Sequence, residues 1–228
     1  MNEFIFHVNV KIEGIQKRKN ALTGLRAKQK ADKNRRILEA ATGLFREVGY
    51  DSARIEDIAE RAEVSVGTFY NYYQNKGDIL VATVSMEVEE VLEAGEAIVA
   101  DPPVNVLVAL QMLINQYFDH SLVYLSKEMW RTAMAISIQQ PETPFSKRYT
   151  ELDRALCTQV STLVQKLQLK GAVLTGIDTI AVGSMFFNNL NMMFTEFVRD
   201  EAMPLERLKE DVARQNRPLA TLISSPNP

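Results

Sequence analysis

The sequence predicts an all-α fold, with a three-helix unit near the N-terminus that a long helix joins to a larger helical C-terminal part. Apolar residues recur at three- and four-residue steps from about residue 30 onward, which is the period of an amphipathic helix. No run of residues alternates between apolar and polar side chains as a half-buried strand would. Proline and glycine interrupt the helical pattern, for example at residues 101–103 and 170–171.

The first three helices are short and closely spaced. The first carries apolar residues over about 37–48 and is followed by Gly49, a residue type that ends helices. The second helix covers about 55–62. Ser65 follows a tight corner and can cap a third helix over 66–73 by accepting a backbone N–H bond. Two helices joined in this way form a helix-turn-helix, whose last helix fits the major groove of DNA.

The fourth helix is long and is predicted over residues 78–100, with Leu80, Val84 and Val88 in its apolar stripe. Pro102 and Pro103 end it, because proline lacks the backbone N–H and disfavours helix in the residue before it. Five further helices are predicted over residues 104–124, 127–139, 145–169, 176–200 and 205–216.

Charge is distributed unevenly along the chain. The formal net charge is −3, yet residues 11–36 carry ten basic and two acidic residues, which leaves −11 for the remainder. A basic segment on an acidic body indicates contact with a polyanion. A solvated basic tail is the alternative interpretation of this feature alone.

Composition argues against several classes of protein. No apolar run approaches the roughly 18 to 20 residues of a membrane span, and residues 1–10 lack the basic start and cleavage site of a signal peptide. Cys157 is the single cysteine, so no intramolecular disulfide can form. We expect this residue to pack in the core and the protein to reside in the cytoplasm. The only histidines are His7 and His120, and neither belongs to a Glu-x-x-His pair. We therefore predict no enzyme, no metal and no cofactor.

A set of residues at fixed spacing near the N-terminus resembles a known family. These residues are Ile37-Leu38-Glu39-Ala40-Ala41, Leu44-Phe45, Gly49-Tyr50, Ile55-Glu56-Asp57-Ile58-Ala59, Ala62, Val64-Ser65-Val66-Gly67-Thr68-Phe69-Tyr70-Asn71-Tyr72-Tyr73, Asn75-Lys76 and Leu80. Over about residues 32–85 they strongly resemble the DNA-binding domain of the tetracycline-repressor (TetR) family. The resemblance implies a homodimeric repressor that binds double-stranded, palindromic operator DNA and has a divergent C-terminal domain for dimerisation and a small-molecule inducer.

The resemblance and the helix pattern together predict four units. Residues 1–30 are expected to form a flexible basic arm, and 31–77 a helix-turn-helix DNA-binding domain with the motif at about 54–73. Residues 78–218 are expected to form a helical sensor and dimerisation domain, and 219–228 a disordered tail. A DNA-binding regulator that acts without ligand, or under the control of a protein partner, is the alternative function.

The third helix has an inward and an outward side. Phe69 and Tyr73 lie four residues apart and are predicted to pack inward. Gly67 lets the helix start approach phosphates, and Asn71 and Thr68 are candidates for base edges. The predicted DNA contacts are Lys33, Arg35, Arg36, Arg54, Ser65, Val66, Gly67, Thr68, Tyr70, Asn71, Tyr72 and Lys76.

Arg54 departs from the family pattern, which usually has serine or threonine at the start of the second helix. An arginine cannot accept the capping bond, although its guanidinium can bind a phosphate. We therefore expect Ser52 or Asp51 to cap this helix.

Two apolar stripes in the last third of the chain are predicted to form a four-helix dimer interface, as the family resemblance implies. An intramolecular core is the alternative. The residues are Leu152, Leu156, Val160, Leu163, Leu167, Ile180, Gly183, Phe187 and Leu190.

A second cluster is rich in methionine and aromatic residues, which suit an adaptable apolar pocket. It predicts a site for an apolar or amphipathic inducer, with ordinary core packing as the alternative. The predicted ligand contacts are Met112, Phe118, Met129, Trp130, Met134, Phe186, Asn189 and Met193.

Overall fold

The computed structural model describes the backbone of residues 2–226 and the side chains of residues 24 and 26–226. This part of the chain is helical apart from its turns and a single β-bridge between Val173 and Ser224. The helices are α1 (Asn2–Val48), α2 (Ile55–Arg61), α3 (Val66–Tyr70), α4 (Lys76–Ala100), α5 (Val106–His120), α6 (Lys127–Gln139), α7 (Pro144–Leu169), α8 (Thr179–Arg199) and α9 (Leu205–Ile223).

Helix α1 is longer than the sequence pattern predicts. It begins at Asn2, so the backbone of the basic arm expected over 1–30 is continuous with the first helix. No proline occurs before Pro102, and the segment is rich in lysine, arginine, glutamine and alanine, all of which favour helix. The expected boundary near residue 30 is therefore absent. Gly49, with φ of +83°, ends the helix as predicted.

The first three helices pack around a small apolar core. Phe45, Ile58 and Phe69 are fully buried in it, one from each helix. Helix α3 ends at Tyr70, three residues earlier than predicted, but Tyr73 still reaches the core. The predicted inward side of the third helix is therefore confirmed.

Helices α4 to α9 form the larger unit, in which α7 and α8 pack closely along their length. The closest approach is at Gly183, where an added Cβ would lie 2.8 Å from the Cβ of Ser161 and closer still to its backbone Cα. Glycine is thus required here because it has no side chain to separate the helices. None of the helices in the described part of the chain has the length and apolar character of a membrane span.

The C-terminal segment is ordered where the sequence predicts disorder over 219–228. Ala220 and Ile223 are buried, and α9 continues to Ile223. The carbonyl of Ile223 accepts from the N–H of Leu174, and the N–H of Ser225 donates to the carbonyl of Ala172. The prediction is wrong up to Ser225 because apolar side chains at helical spacing dock on the loop after α7. Residues 227 and 228 lie outside the described residues.

Candidate functional site

One side of α3 is buried and the other is open to solvent. Phe69 and Tyr73 are buried, and the Tyr73 hydroxyl donates to Oδ1 of Asn34 on α1 at 2.7 Å. Half of the Tyr70 surface is exposed, and Asn71 is exposed beside it. The hydrogen bond to α1 and the aromatic core hold α3 in place, so its outward side chains are presented on a rigid support.

The start of α3 is capped as the sequence predicts. Ser65 Oγ accepts the backbone N–H of Thr68 at 3.0 Å and lies 2.8 Å from the Thr68 hydroxyl. The backbone N–H groups of Val66 and Gly67 belong to the first helical turn, in which N–H groups have no partner within the helix. Val66 and Gly67 are both exposed, so an external acceptor can reach this end of α3.

Arg54 occupies the N-cap position immediately before α2, and no side chain caps this end of the helix. The expected cap by Ser52 or Asp51 is therefore wrong. The Arg54 side chain is exposed, with Nε 3.5 Å from the Glu56 carboxylate. Exposed ion pairs contribute little to stability, so the guanidinium can exchange Glu56 for a phosphate.

The three basic residues predicted on α1 differ in their surroundings. Lys33 is exposed, while Arg35 pairs with both Asp32 and Glu39 at 2.8 Å. The Arg35 guanidinium lowers the pKa of Asp32 through this hydrogen bond. Arg36 lies partly buried, 3.1 Å from the Glu63 carboxylate. Lys33 is thus the most accessible of the three.

Lys76 has a structural role that the sequence does not reveal. Its Nζ donates to the backbone carbonyls of Tyr50 at 2.8 Å and Asp51 at 2.9 Å, and it lies over the Tyr50 ring. Two of the three ammonium N–H bonds therefore fasten the start of α4 to the turn after α1. One N–H remains for an external anion.

A shallow surface groove brings the basic part of α1 beside the end of α3. It is lined by Ala27, Lys30, Ala31, Asn34, Asn71 and Tyr72. Asn71 and Tyr72, two of the predicted DNA contacts, thus share a surface with exposed Lys30.

A cavity of about 70 Å³, which opens to solvent, lies between five helices. A ligand larger than a few water molecules therefore requires its walls to move apart. Its walls come from α4, from α5 with the residue that follows it, and from α6, α7 and α8. The lining residues are Val84, Glu87, Val88, Val91, Tyr117, Phe118, Ser121, Trp130, Met134, Tyr149, Leu152, Asp153, Leu156, Phe187, Leu190, Asn191 and Phe194.

Three of the predicted ligand contacts, Phe118, Trp130 and Met134, line this cavity. The other five, Met112, Met129, Phe186, Asn189 and Met193, do not. Met112 faces solvent and Met129 and Phe186 are buried elsewhere in the core, while Asn189 donates to Asn216 at 2.9 Å and Met193 accepts from Gln215. The spacing of these five residues predicts that they lie on apolar helix faces, but it does not show which face lines the cavity.

The stripes predicted as a dimer interface are buried within the chain. Leu152, Leu156, Phe187 and Leu190 line the cavity, and Val160, Leu163 and Leu167 are fully buried. Gly183 packs against Ser161, and of the nine residues Ile180 alone is exposed, at 71%. The assignment to a dimer interface is therefore corrected to the intramolecular alternative. The solvent-facing side of α8 instead carries Ile180, Ala181, Met185, Asn188 and Met192.

Two carboxyl groups in the cavity wall are absent from the sequence-based assignment. Glu87 is buried, with Oε1 2.6 Å from His120 Nδ1 and Oε2 accepting the Tyr124 N–H. Asp153 is partly buried without a polar partner among the described residues, and burial raises its pKa to about 6. A sequence signal exists, because Glu87 lies within the apolar stripe of α4 between Val84 and Val91.

Comparison with known proteins identifies the N-terminal unit. Residues 37–83 match the family model described as bacterial regulatory proteins, tetR family. The fatty acid metabolism regulator protein of Bacillus subtilis is 24% identical over 179 residues, which cover 76% of this chain and 88% of that protein. The transcriptional repressor KstR of Rhodococcus jostii is 34% identical over 86 residues, or 37% of this chain and 39% of KstR.

A solved structure shows the same fold over most of the chain. The transcriptional regulator FadR from Bacillus subtilis, crystallised in complex with stearoyl-CoA, superposes with a TM-score of 0.61 at 22% identity. The match covers 79% of this chain and 96% of FadR. The helical C-terminal unit thus has the architecture of such regulators, in addition to the match at the N-terminus.

Proposed function

Because the chain is a DNA-binding transcriptional regulator of the TetR family, which is not a family of enzymes, we propose that it acts as a homodimeric repressor. It binds a palindromic operator through α2 and α3 and is released by an apolar or amphipathic ligand in the internal cavity. The observation that carries this proposal is the two-sided α3, with its buried aromatic side and its exposed opposite side.

On the DNA side, we assign base reading to Asn71 and Thr68, whose amide and methyl groups complement adenine and thymine in the major groove. Phosphate contacts come from the remaining predicted residues, which position the protein without reading sequence. These are Lys33, Arg35, Arg36, Arg54, Ser65, Val66, Gly67, Tyr70, Tyr72 and Lys76. The exposed Lys28 and Lys30 extend this basic surface along α1.

The dimer in this proposal uses the outer side of α7 and α8. On α8, Ala181, Met185, Asn188 and Met192 recur at steps of four, three and four residues and are all exposed. Met185 is 55% and Met192 60% exposed, which is unusual for side chains of this size. Two such helices from each protomer form a four-helix interface related by a twofold axis.

A ligand in the cavity can act on the DNA-binding unit along two routes. The first is α4, which lines the cavity with four residues and is fastened at its start by Lys76 to the turn after α1. The second is the loop between α5 and α6, where the carbonyl of Leu122 accepts from Arg46 of α1. DNA binding requires the two α3 helices of the dimer to lie one DNA turn apart, about 34 to 36 Å. A ligand that favours a dimer with a different separation of these helices would weaken binding to the operator.

The relatives support a ligand with a long apolar part. The name of the Bacillus subtilis relative refers to fatty acid metabolism, and the solved FadR structure holds stearoyl-CoA. The wall of the cavity is predominantly apolar and aromatic, which is the chemical character that such a chain contacts.

The test of this function is selection of DNA by the full chain from a random duplex library, followed by release. We expect an enriched palindrome with half-sites one helical turn or a multiple of it apart, and release on addition of long-chain amphiphiles. Enrichment of sequences without dyad symmetry would contradict a dimeric repressor. Operator binding that no amphiphile changes would favour control by a protein partner.

The dimer assignment predicts the effect of a charge on α8. Met185→Glu should convert the protein to monomers in light scattering, because burying the carboxylate without a partner at the interface is unfavourable. The control is Met112→Glu, which alters a methionine of similar exposure on α5. A dimeric Met185→Glu variant would place the interface elsewhere.

The basic surface of α1 predicts a change in salt dependence. The triple variant Lys28→Ala, Lys30→Ala, Lys33→Ala should bind all DNA sequences more weakly. The slope of log affinity against log salt should lose about 0.9 for each phosphate contact removed. Lys147→Ala with Lys166→Ala in the C-terminal unit should leave the slope unchanged. An unaltered slope in the triple variant would remove α1 from the DNA contact.

A further inference from the structure

The cavity wall is acidic as well as apolar. Its lining includes the carboxyl groups of Glu87 and Asp153 and contains no lysine, arginine or histidine. Removing a carboxylate from water is costly unless a cation or hydrogen-bond donor compensates for the loss. Each of the two carboxyl groups therefore needs a partner, either within the protein or in a bound ligand.

Glu87 is compensated by the protein itself. His120 Nδ1 lies 2.6 Å from one of its oxygens, and the Tyr124 N–H donates to the other at 3.2 Å. His120 Nε2 in turn lies 3.1 Å from the Glu90 carboxylate. These contacts join α4 to the end of α5, so Glu87 has a structural role that needs no ligand.

Asp153 is different, because no described residue donates a hydrogen bond to it or forms an ion pair with it. Burial in the cavity wall is the cause that raises its pKa, and its charge in turn helps to raise the pKa of neighbouring Tyr149. The nearest basic residue along α7, Arg154, is exposed, while Arg148 is bound to Glu89 and Glu151. The cavity thus presents an uncompensated acceptor to whatever occupies it.

The groups around Asp153 can accommodate an ammonium group. The amide of Asn191 lines the same cavity and has no partner among the described side chains. The indole of Trp130 and the ring of Phe194 meet edge to face, with centroids 5.2 Å apart. Aromatic faces attract ammonium groups, and an amide oxygen accepts a hydrogen bond from them.

We propose that the ligand of this cavity carries a protonated amine, which Asp153 binds, on an apolar chain or ring system that the aromatic wall encloses. This proposal rests on the cavity being the inducer site and adds the chemical class of the ligand. It assigns a head group opposite in charge to a free fatty acid. Asp153 sets this preference because its carboxylate stays unpaired when the bound ligand has no group that can donate a hydrogen bond to it.

The test compares three ligands of one chain length, decylammonium, decan-1-ol and decanoate, each below its micelle-forming concentration. Trp130 is the only tryptophan of the chain and lines the cavity, so its fluorescence reports occupancy of the full-length protein. We expect decylammonium to bind at least about 10-fold more tightly than decan-1-ol, and decanoate to bind most weakly. Equal or reversed affinities in the wild-type protein overturn the proposal without recourse to any variant.

Two substitutions of Asp153 test whether this residue causes the preference for the amine. In Asp153→Asn, the affinity ratio of decylammonium to decan-1-ol should fall to near one, whereas Asp153→Glu should keep a preference for the amine. The matched control is Glu151→Gln, which removes an exposed carboxylate from the same helix and should leave all three affinities unchanged. A preference that survives in Asp153→Asn overturns the assignment to Asp153.

Operator release, measured in parallel, separates this inference from the proposed function. If decylammonium binds with the expected preference but does not release DNA, the inference stands and the inducer role fails. If decan-1-ol and decanoate bind as well as the amine and release DNA, the inducer role stands and the inference fails.

Discussion

Replacing Gly67 by glutamate should abolish specific DNA binding while leaving the fold intact. Gly67 is exposed in the first turn of α3, and the nearest atom to an added Cβ is Ser65 Oγ at 3.9 Å, so a side chain fits. A carboxylate here even favours the helix, because it lies at the positive end of the helix dipole. Against a DNA phosphate, however, the like charge costs several kcal/mol. We expect a loss of about 100-fold or more, or about 3 kcal/mol.

The measurement is a fluorescence anisotropy titration with the selected operator, paired with a thermal unfolding scan. Gly67→Ala shows the effect of the side chain without charge, and Gln215→Glu adds the same charge on α9, far along the chain from α3. Both should bind the operator far better than Gly67→Glu. Near-normal operator affinity in Gly67→Glu would show that the start of α3 does not approach the DNA.

Replacing Gly183 by valine should strongly destabilise the C-terminal unit. Even a Cβ at this position would overlap the backbone of Ser161, and valine adds two further methyl groups. Because a backbone atom cannot move aside as a flexible side chain does, α7 and α8 must separate. Overpacking of this kind costs about 1–3 kcal/mol, and we expect the upper end of that range or beyond for valine.

Thermal unfolding at matched protein concentrations measures this effect, since dimers unfold in a concentration-dependent way. For a chain of this size, about 3 kcal/mol corresponds to a fall in Tm of roughly 6 to 12 °C. Gly176→Ala is the control, because an added Cβ there meets nothing within 4 Å and φ is not positive. An unchanged Tm for Gly183→Val would mean that α7 and α8 tolerate a wider separation.

Local sequence signals were sufficient for the DNA-binding unit. Gly49 and Ser65 act through their own backbone and the next few residues, so their roles as helix end and helix cap follow from the sequence alone. The inward position of Phe69 and Tyr73 follows from their spacing. The role of Lys76 does not, because the carbonyls that it binds lie 25 and 26 residues earlier and meet it only in the folded chain.

The C-terminal unit shows the limit of periodicity. A stripe such as Leu152, Val160 and Leu163 indicates that one face of a helix is buried, but it does not indicate whether the same chain or a second copy buries it. Here the chain's own helices do so. The exposed residues of α8 that we propose for the dimer, Ala181, Met185, Asn188 and Met192, are less hydrophobic and therefore give a weaker pattern in the sequence.

The backbone of Tyr50 is hydrogen-bonded to two other helices, α4 and α6. Its N–H donates to Glu128 of α6 at 3.3 Å, and its carbonyl accepts from Lys76 of α4. The turn after α1 is thus bonded at one residue to both α4 and α6, in addition to the separate bond from Arg46 to the carbonyl of Leu122. If a ligand acts in the cavity as proposed, a shift of α4 relative to α6 would strain both of these bonds and so reach the DNA-binding unit directly.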